Sequence, residues 1–75
     1  MKELVEYIAK AIVDNPEAVR VTEMPMEDGI VIKLEVDPDD RGKVIGKQGH
    51  IAKATRTLLR VAATRRNIRA TLEIV

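Results

Sequence analysis

Residues 44–59, VIGKQGHIAKATRTLL, place two glycines three positions apart between a short apolar run and a long amphipathic one. This order of side chains predicts that a short helix ends near Ile45 and that Gly46 stops it. A second helix is then predicted from about Gly49 to Arg65. The four residues between them form a tight connection, and their chemistry decides how the rest of the chain is interpreted.

The connection differs from the common nucleotide-binding loops. Gly42, Gly46 and Gly49 do not form G-x-G-x-x-G, and Gln48 stands where a P-loop carries the Ser or Thr that holds magnesium. A glycine at each end lets the backbone turn and removes side chains that would keep a phosphate at a distance. The free N–H groups of the following helix, together with Lys47, favour an anion. The stretch therefore predicts a contact with a phosphodiester backbone.

The flanking sequence predicts the order α-β-β-α-α-β. Apolar side chains at helical spacing predict a first helix over residues 2–14, which Pro16 would end. Asp37 or Asp39 is suited to cap the short helix before the glycines. Strict alternation of apolar and polar side chains predicts a final strand over residues 68–75.

Residues 19–36 predict a β-hairpin whose second strand has one buried face. Asp28 and Gly29 are expected to supply left-handed turn positions. Pro25 cannot donate to a strand ladder, so it predicts an edge strand. The methionines on either side of it are expected to fill the core or cover that edge.

Composition limits the function. A chain of 75 residues predicts one domain, residues 1–75. Cysteine is absent, which excludes disulfides and thiolate chemistry, and Tyr7 is the one aromatic residue, which disfavours base stacking on rings. No apolar run is long enough to span a membrane or to serve as a signal peptide, so we expect a cytoplasmic protein.

Charge divides the chain into two halves. Residues 1–40 carry four basic and eleven acidic side chains, a balance of −7, whereas residues 41–75 carry nine basic and one acidic, a balance of +8. This asymmetry predicts a polyanion as the partner of the second half. The alternative is that the two sets of charges are solvated and pair across the fold.

The stretch GKVIGKQGHIAKATRTLLRVAA resembles the G-x-x-G signature of the KH domain, and nearly the whole chain is similar to the small single-KH bacterial RNA-binding proteins of the KhpA family. The resemblance implies an α+β protein of the type II KH fold, with a three-stranded mixed sheet packed against three helices. It also implies a groove between the Gly46–Gly49 loop, its two helices and the edge of the sheet, which holds about four nucleotides of single-stranded RNA or DNA. The implied role is non-catalytic, without a cofactor or metal, as a post-transcriptional regulator or RNA chaperone.

The resemblance also implies a set of site residues. The nucleic-acid backbone would meet Gly46, Lys47, Gln48 and Gly49. Bases would rest on an apolar floor of Ile45, Ile51 and Ala52. Further contacts with the nucleic-acid backbone are expected from residues that flank the loop, Arg41, Lys43, His50 and Lys53. The alternative is that these side chains are only solvated on the surface.

The remaining charged residues have plainer interpretations. His50 has no second histidine and no cysteine to share a metal with. Arg56 and Arg60 are expected on the solvated back of the long helix. Three further arginines, Arg65, Arg66 and Arg69, either widen the positive field or solubilise the end of that helix. The acidic residues at 37, 39 and 40 are suited to helix capping rather than to magnesium.

The apolar arc of the long helix predicts self-association. Viewed along the helix axis, the apolar side chains between Leu59 and Val61 span an arc of about 160°, whereas an arc of about 100° commonly suffices for one buried face. KhpA-like proteins are associated with pairing with themselves and with a larger KH-containing protein of the KhpB or Jag type. The alternative function is therefore an assembly module that dimerises or recruits such a partner, with RNA contact secondary.

Overall fold

The computed structural model describes all 75 residues. Three helices and three strands follow one another in the order α-β-β-α-α-β. They are α1 (Lys2–Ile12), β1 (Arg20–Met26), β2 (Gly29–Glu35), α2 (Arg41–Ile45), α3 (His50–Arg65) and β3 (Arg69–Ile74). Short 3-10 turns at Pro16–Ala18, Pro38–Asp40 and Lys47–Gly49 connect them. No helix is both long enough and apolar enough to cross a bilayer.

The strands form one mixed sheet in the order β1-β2-β3. β1 and β2 are an antiparallel hairpin in which Met26 pairs with Gly29, and β2 and β3 run parallel with Gly29 beside Arg69. A parallel pair needs a long crossover, which α2 and α3 provide. β1 lies at an edge, as Pro25 predicts. The α+β class, the element order and the mixed sheet of the predicted fold are confirmed.

The helices cover one face of this sheet. α1 buries Val5 and Ala9, β2 buries Ile32 and Leu34 as alternation predicts, and α3 adds Leu59 to the same apolar cluster. The outward-facing side chains of β1 and β3 are exposed. The core is therefore a single layer between three helices and one sheet face, and the surfaces of α2, α3 and β3 remain available for contacts.

The hairpin turn corrects one prediction. Neither Asp28 nor Gly29 has a positive φ, so the expected left-handed turn positions are wrong. Gly29 is instead the first residue of β2, where an added Cβ would lie 1.8 Å from the carbonyl oxygen of Arg69. A glycine is needed there because β3 approaches closely. Met24 and Met26 are exposed, so neither fills the core.

The face that α3 buries also differs from the predicted one. The sequence centres the apolar side on Ile51 and Leu58, but both are exposed. The buried face consists of Ala52, Thr55, Leu59 and Ala63. Thr55 is tolerated in the core because its hydroxyl donates to the carbonyl of Ile51 at 2.9 Å. At 100° per residue, the observed buried face is rotated by about 80° from the predicted one. The predicted face, with Ile51 and Leu58, is left in solvent as an apolar flank.

The acidic segment before α2 has two roles. Asp37 caps the turn as predicted, since its carboxylate accepts from the N–H of Asp39 at 2.9 Å. Asp40 does not cap a helix. It is 3% exposed, and its carboxylate accepts from the backbone N–H groups of Asp14 and Asn15. This contact joins the end of α1 to the start of α2, which fixes the helix that leads into the glycine loop.

Candidate nucleic-acid interface

The loop between α2 and α3 turns the chain within four residues. Gly46 ends α2 with φ 77° and ψ 170°, and its N–H donates to the carbonyl of Gly42 at 2.8 Å. Gly49 has φ 76°, and its N–H donates to the carbonyl of Gly46 at 3.0 Å. Gln48 is also left-handed, with φ 58° and ψ 23°. Deviations from helical geometry at these three residues separate the two helices.

The two glycines are required for different reasons. A Cβ on Gly46 would lie 2.3 Å from Cγ1 of Ile51, so the missing side chain admits the first apolar residue of α3. A Cβ on Gly49 would meet nothing closer than Cε of Lys53, at 4.0 Å. A glycine is favoured at position 49 because of the positive φ, and the missing side chain leaves open space beside the start of α3. The missing side chain of Gly49 therefore clears room for an approaching backbone, whereas that of Gly46 makes room for Ile51.

The loop presents donors and positive charge to solvent. The side chains of Lys47 and Gln48 are exposed, and Lys47 takes part in no ion pair. The missing side chain of Gly49 leaves open space beside this ammonium group at the start of α3. An unpaired ammonium group at an open turn is suited to a phosphate, because its positive charge attracts the anion.

The apolar residues predicted beside the loop separate into two groups. Ile45 and Ile51 are partly exposed, at 37% and 36%, on either side of the loop. Ala52 is buried on the core side of α3. Of the predicted apolar floor, only the two isoleucines are therefore exposed to a ligand, and Ala52 is not part of that surface because it is buried in the core.

The flanking cations are not equivalent. Three of them, Arg41, His50 and Lys53, are exposed and form no ion pair. Lys43 is bonded to Asp14 and lies 3.6 Å from the carboxylate of Asp40. The bond to Asp14 raises the pKa of Lys43 above its ordinary value of 10.5 against a smaller opposing effect of burial. A phosphate would have to compete with two carboxylates for this lysine.

A trough runs along α3 and the free edge of β3, at the sheet edge where the resemblance implies a groove. A concavity of about 130 Å³ there is bordered by Arg56, Arg60 and Ala70. The two arginines are exposed as predicted, but they face this concavity rather than open solvent alone. Their spacing of three and four positions places Lys53, Arg56 and Arg60 on one side of the helix. The spacing alone does not predict that β3 packs beside that side.

The edge of β3 supplies further polar groups to the trough. The N–H of Arg69 donates to Asp28 and that of Val75 donates to Leu34, so the odd-numbered backbone groups point toward β2. Backbone groups alternate along a strand, which leaves the N–H and C=O of Ala70 and Leu72 at the free edge. These groups are available for hydrogen bonds to a ligand in the trough.

A mixed sheet of this order, covered on one face by three helices and carrying a G-x-x-G loop between the last two, defines a type II KH domain. The family model described as KhpA/KhpB, KH domain, matches residues 2–74. The chain therefore belongs to the KhpA/KhpB family of KH domains.

Relatives from several bacteria match over all or nearly all of their length. The chain is 55% identical over 75 residues to the RNA-binding protein KhpA of Clostridium perfringens and 55% identical to that of Caldanaerobacter subterraneus, with complete coverage of both chains. It is 51% identical to the RNA-binding protein KhpA of Aquifex aeolicus, covering all of this chain and 95% of the relative. No solved structure matches the chain significantly.

Proposed function

We propose that this chain is a non-catalytic RNA-binding protein that holds single-stranded RNA beside the Gly46–Gly49 loop. The observation that carries the proposal is the exposed, unpaired ammonium group of Lys47 on a left-handed loop, beside the open space at Gly49. The names of the relatives support RNA as the ligand. Residues 1–75 would act as one KH domain.

The proposed binding mode assigns two kinds of contact. Gly46, Lys47, Gln48 and Gly49 meet phosphates, which gives affinity without sequence preference. Ile45 and Ile51 support bases through apolar contact, with Ala52 behind them, while Arg41, Lys43, His50 and Lys53 add charge around the loop. Because bacterial RNA is made and used in the cytoplasm, that compartment fits the function. A role as post-transcriptional regulator or RNA chaperone follows from weak, sequence-tolerant binding.

A titration of labelled single-stranded RNA, followed by fluorescence anisotropy, tests the proposal. Roughly two to four phosphate contacts predict that log affinity falls against log salt with a slope of about −1.4 to −2.8. The matched control is the same sequence annealed into a duplex, whose phosphates do not fit a groove built for one strand. A preference for the duplex, or affinity that ignores salt, would contradict the groove.

Assembly is a second candidate function, favoured by the apolar flank of α3. Leu58 and Val61 are 51% and 52% exposed, and with Ile51 and Ala54 they follow a three-four-three spacing along the helix. This spacing is typical of a helix that packs against another helix. The proposed partner is a second copy of this chain, or a larger KH-containing protein of the KhpB or Jag type. Because the flank lies on another side of α3 from the trough, the two functions are compatible.

A further inference from the structure

The short helix α2 leads directly into the glycine loop, so its orientation sets where that loop lies. It has five residues, and Gly46 closes it by donating to the carbonyl of Gly42. The start of the loop therefore moves with the helix. A helix of little more than one turn has almost no stability of its own. Its placement must come from contacts with the rest of the protein.

Val44 anchors α2 to the core. It is 3% exposed, belongs to the same buried cluster as Val5 and Leu59, and is the one residue that α2 buries. Apolar contact is not directional. The packing of a single valine therefore fixes the distance of α2 from the core but not its angle. A second contact is needed to prevent α2 from pivoting about Val44.

Asp40, the residue before α2, supplies a directional contact. Its side chain is buried, and its two oxygens accept separately, Oδ1 from the N–H of Asp14 at 3.2 Å and Oδ2 from the N–H of Asn15 at 3.0 Å. Two bonds to the two oxygens of one planar group fix its orientation as well as its position. We call this pair of bonds the Asp40 clamp. It holds the start of α2 on the segment that follows α1.

A buried carboxylate at this position has costs that stability alone does not explain. Removing a charge from water is unfavourable. The helical rise also places Asp40 only about 9 Å from Gly46. That distance is within the screening length of about 10 Å at 0.1 M salt, so the carboxylate repels a phosphate at the loop. What it provides, and an apolar residue would not, is direction.

We propose that Asp40 is a positioning residue for RNA binding, because its clamp holds α2 at the angle at which Ile45 and the Gly46–Gly49 loop meet the strand. This inference rests on the proposed function and adds to it a residue that touches no RNA. Without the clamp, α2 pivots about Val44, and the loop is correctly oriented for only part of the time. A correctly oriented population of about one third weakens the apparent affinity about threefold.

Asp40→Asn tests the proposal through the sign of its effect. An amide offers one acceptor oxygen, so the variant breaks one bond of the clamp and also removes a negative charge near the loop. The loss of charge alone would strengthen RNA binding, whereas the loss of positioning weakens it. Affinity for a single-stranded oligouridine, measured by fluorescence anisotropy, should fall at least about threefold. The dependence on salt should match that of the wild type, because Asp40 contacts no phosphate.

Two control variants separate positioning from charge and from stability. Asp39→Asn removes the same charge from an exposed carboxylate outside the clamp and should not weaken binding. Val21→Ala shortens a buried side chain of β1, so it lowers stability but leaves the clamp intact. It should bind as the wild type does at a temperature where circular dichroism shows every variant folded. Equal weakening by Val21→Ala would overturn the inference.

Hydrogen exchange on the wild type decides the matter even if Asp40→Asn does not fold. Coupling between two equilibria is reciprocal, so a clamp that favours RNA binding is itself favoured by bound RNA. Saturating oligouridine should therefore slow exchange of the Asn15 amide by the same factor, at least about threefold. The control is the amide of Ala18, which donates to the carbonyl of Asn15 and should be slowed less. Equal slowing of both amides, or no slowing at Asn15, would overturn the inference.

The remaining outcomes distinguish this inference from the proposed function. Asp40→Asn that binds as tightly as the wild type contradicts the Asp40 clamp alone. A salt slope shallower by about 0.7 in this variant would mean a lost phosphate contact and would also contradict positioning. A wild type that binds no oligouridine contradicts the proposed function itself.

Discussion

The carboxylate of Asp40 accepts a hydrogen bond from the backbone N–H of Asn15 at 3.0 Å, across 25 positions of the chain. A second bond comes from the N–H of Asp14 at 3.2 Å. Burial raises the pKa of Asp40, but the two backbone bonds and the nearby Lys43 together outweigh it and hold the pKa below its ordinary value of 3.8. The carboxylate therefore holds α2, and the loop that follows it, against the end of α1.

Asp40→Asn should lower the melting temperature by several degrees at neutral pH. An amide offers one acceptor oxygen, so one of the two backbone N–H groups would lose its partner in a buried position. Thermal unfolding followed by circular dichroism measures the change. Asp39→Asn is the matched control, because the carboxylate of Asp39 is exposed and accepts no hydrogen bond. Equal melting temperatures for the two variants would contradict the role given to Asp40.

The same contact predicts acid sensitivity. A pKa that is lower in the folded state than in the unfolded state stabilises the fold above the unfolded value, near 3.8, and this stabilisation is lost as pH falls through the folded pKa. The wild-type melting temperature should therefore fall more steeply than that of Asp40→Asn between about pH 5 and pH 2. Parallel curves would mean that Asp40 is not a source of the acid sensitivity.

Gly29→Ala should destabilise the protein by about 3 kcal/mol, because the added Cβ would lie 1.8 Å from the carbonyl oxygen of Arg69 and the backbone of β3 must move. Gly42→Ala is the control with the same chemical change. Its Cβ would meet no atom within 4 Å, and alanine favours a helix over glycine by about 1 kcal/mol. Urea unfolding should thus give effects of opposite sign. A harmless Gly29→Ala would contradict the parallel pairing of β2 with β3.

Val61→Arg tests the proposed self-association. Val61 is half exposed on the apolar flank of α3, so an arginine there should weaken a dimer without disturbing the core. Sedimentation velocity at micromolar concentration should show a dimer for the wild type and a monomer for the variant. Val75→Arg is the control, since Val75 is a similarly exposed valine outside α3. A wild type that stays monomeric at high concentration would remove the proposal.

Leu59 and Val61 differ in burial, although the sequence places both on the apolar side of the long helix. The sequence places Leu59 and Val61 at the two ends of one apolar arc, and either is then a candidate for a partner surface. Leu59 is 1% exposed in the core, so Leu59→Arg would unfold the protein rather than test an interface. The predicted and observed buried faces of α3 differ because Thr55 lies in the core. Its hydroxyl can be buried there because it donates a hydrogen bond to the carbonyl of Ile51 in the same helix. Hydrophobic periodicity cannot anticipate a polar residue on a buried face.

Local patterns predicted the elements well. Alternation in residues 30–36 and the glycine spacing at 46 and 49 act over a few neighbouring residues, and both the central strand and the tight turn between α2 and α3 follow from them. The partner of Asp40 lies 25 positions away, and one cavity between α3 and β3 is lined by both Arg60 and Arg69 because the helix packs beside that strand. Such features depend on tertiary placement, so single-sequence patterns do not contain them.

The loop itself is tested by Lys47→Asp combined with Gln48→Asp. The change places two carboxylates where a phosphate is proposed to lie and replaces one attraction by two repulsions, so weak RNA binding should be abolished. Stability should hardly change, because both side chains are exposed and aspartate tolerates the left-handed conformation of residue 48. Acidic residues before a helix also favour its dipole by about 0.3–1 kcal/mol.

A second site in the chain offers a closely matched control. Asn67 has φ 58°, the same as Gln48, and it also follows an exposed cation, Arg66. Arg66→Asp with Asn67→Asp therefore alters net charge equally and uses the same backbone conformation, but at the C-terminal end of α3, away from the loop. Anisotropy titrations should show lost binding for the loop variant and retained binding for this control, with circular dichroism confirming that both are folded.

Equal loss in both would mean that the total charge of the protein, rather than the loop, holds the RNA. Retained binding in the loop variant would move the site to Lys53, Arg56 and Arg60. If the loop variant unfolds, the loop residues shape the fold, and the phosphate contact proposed for them loses its support.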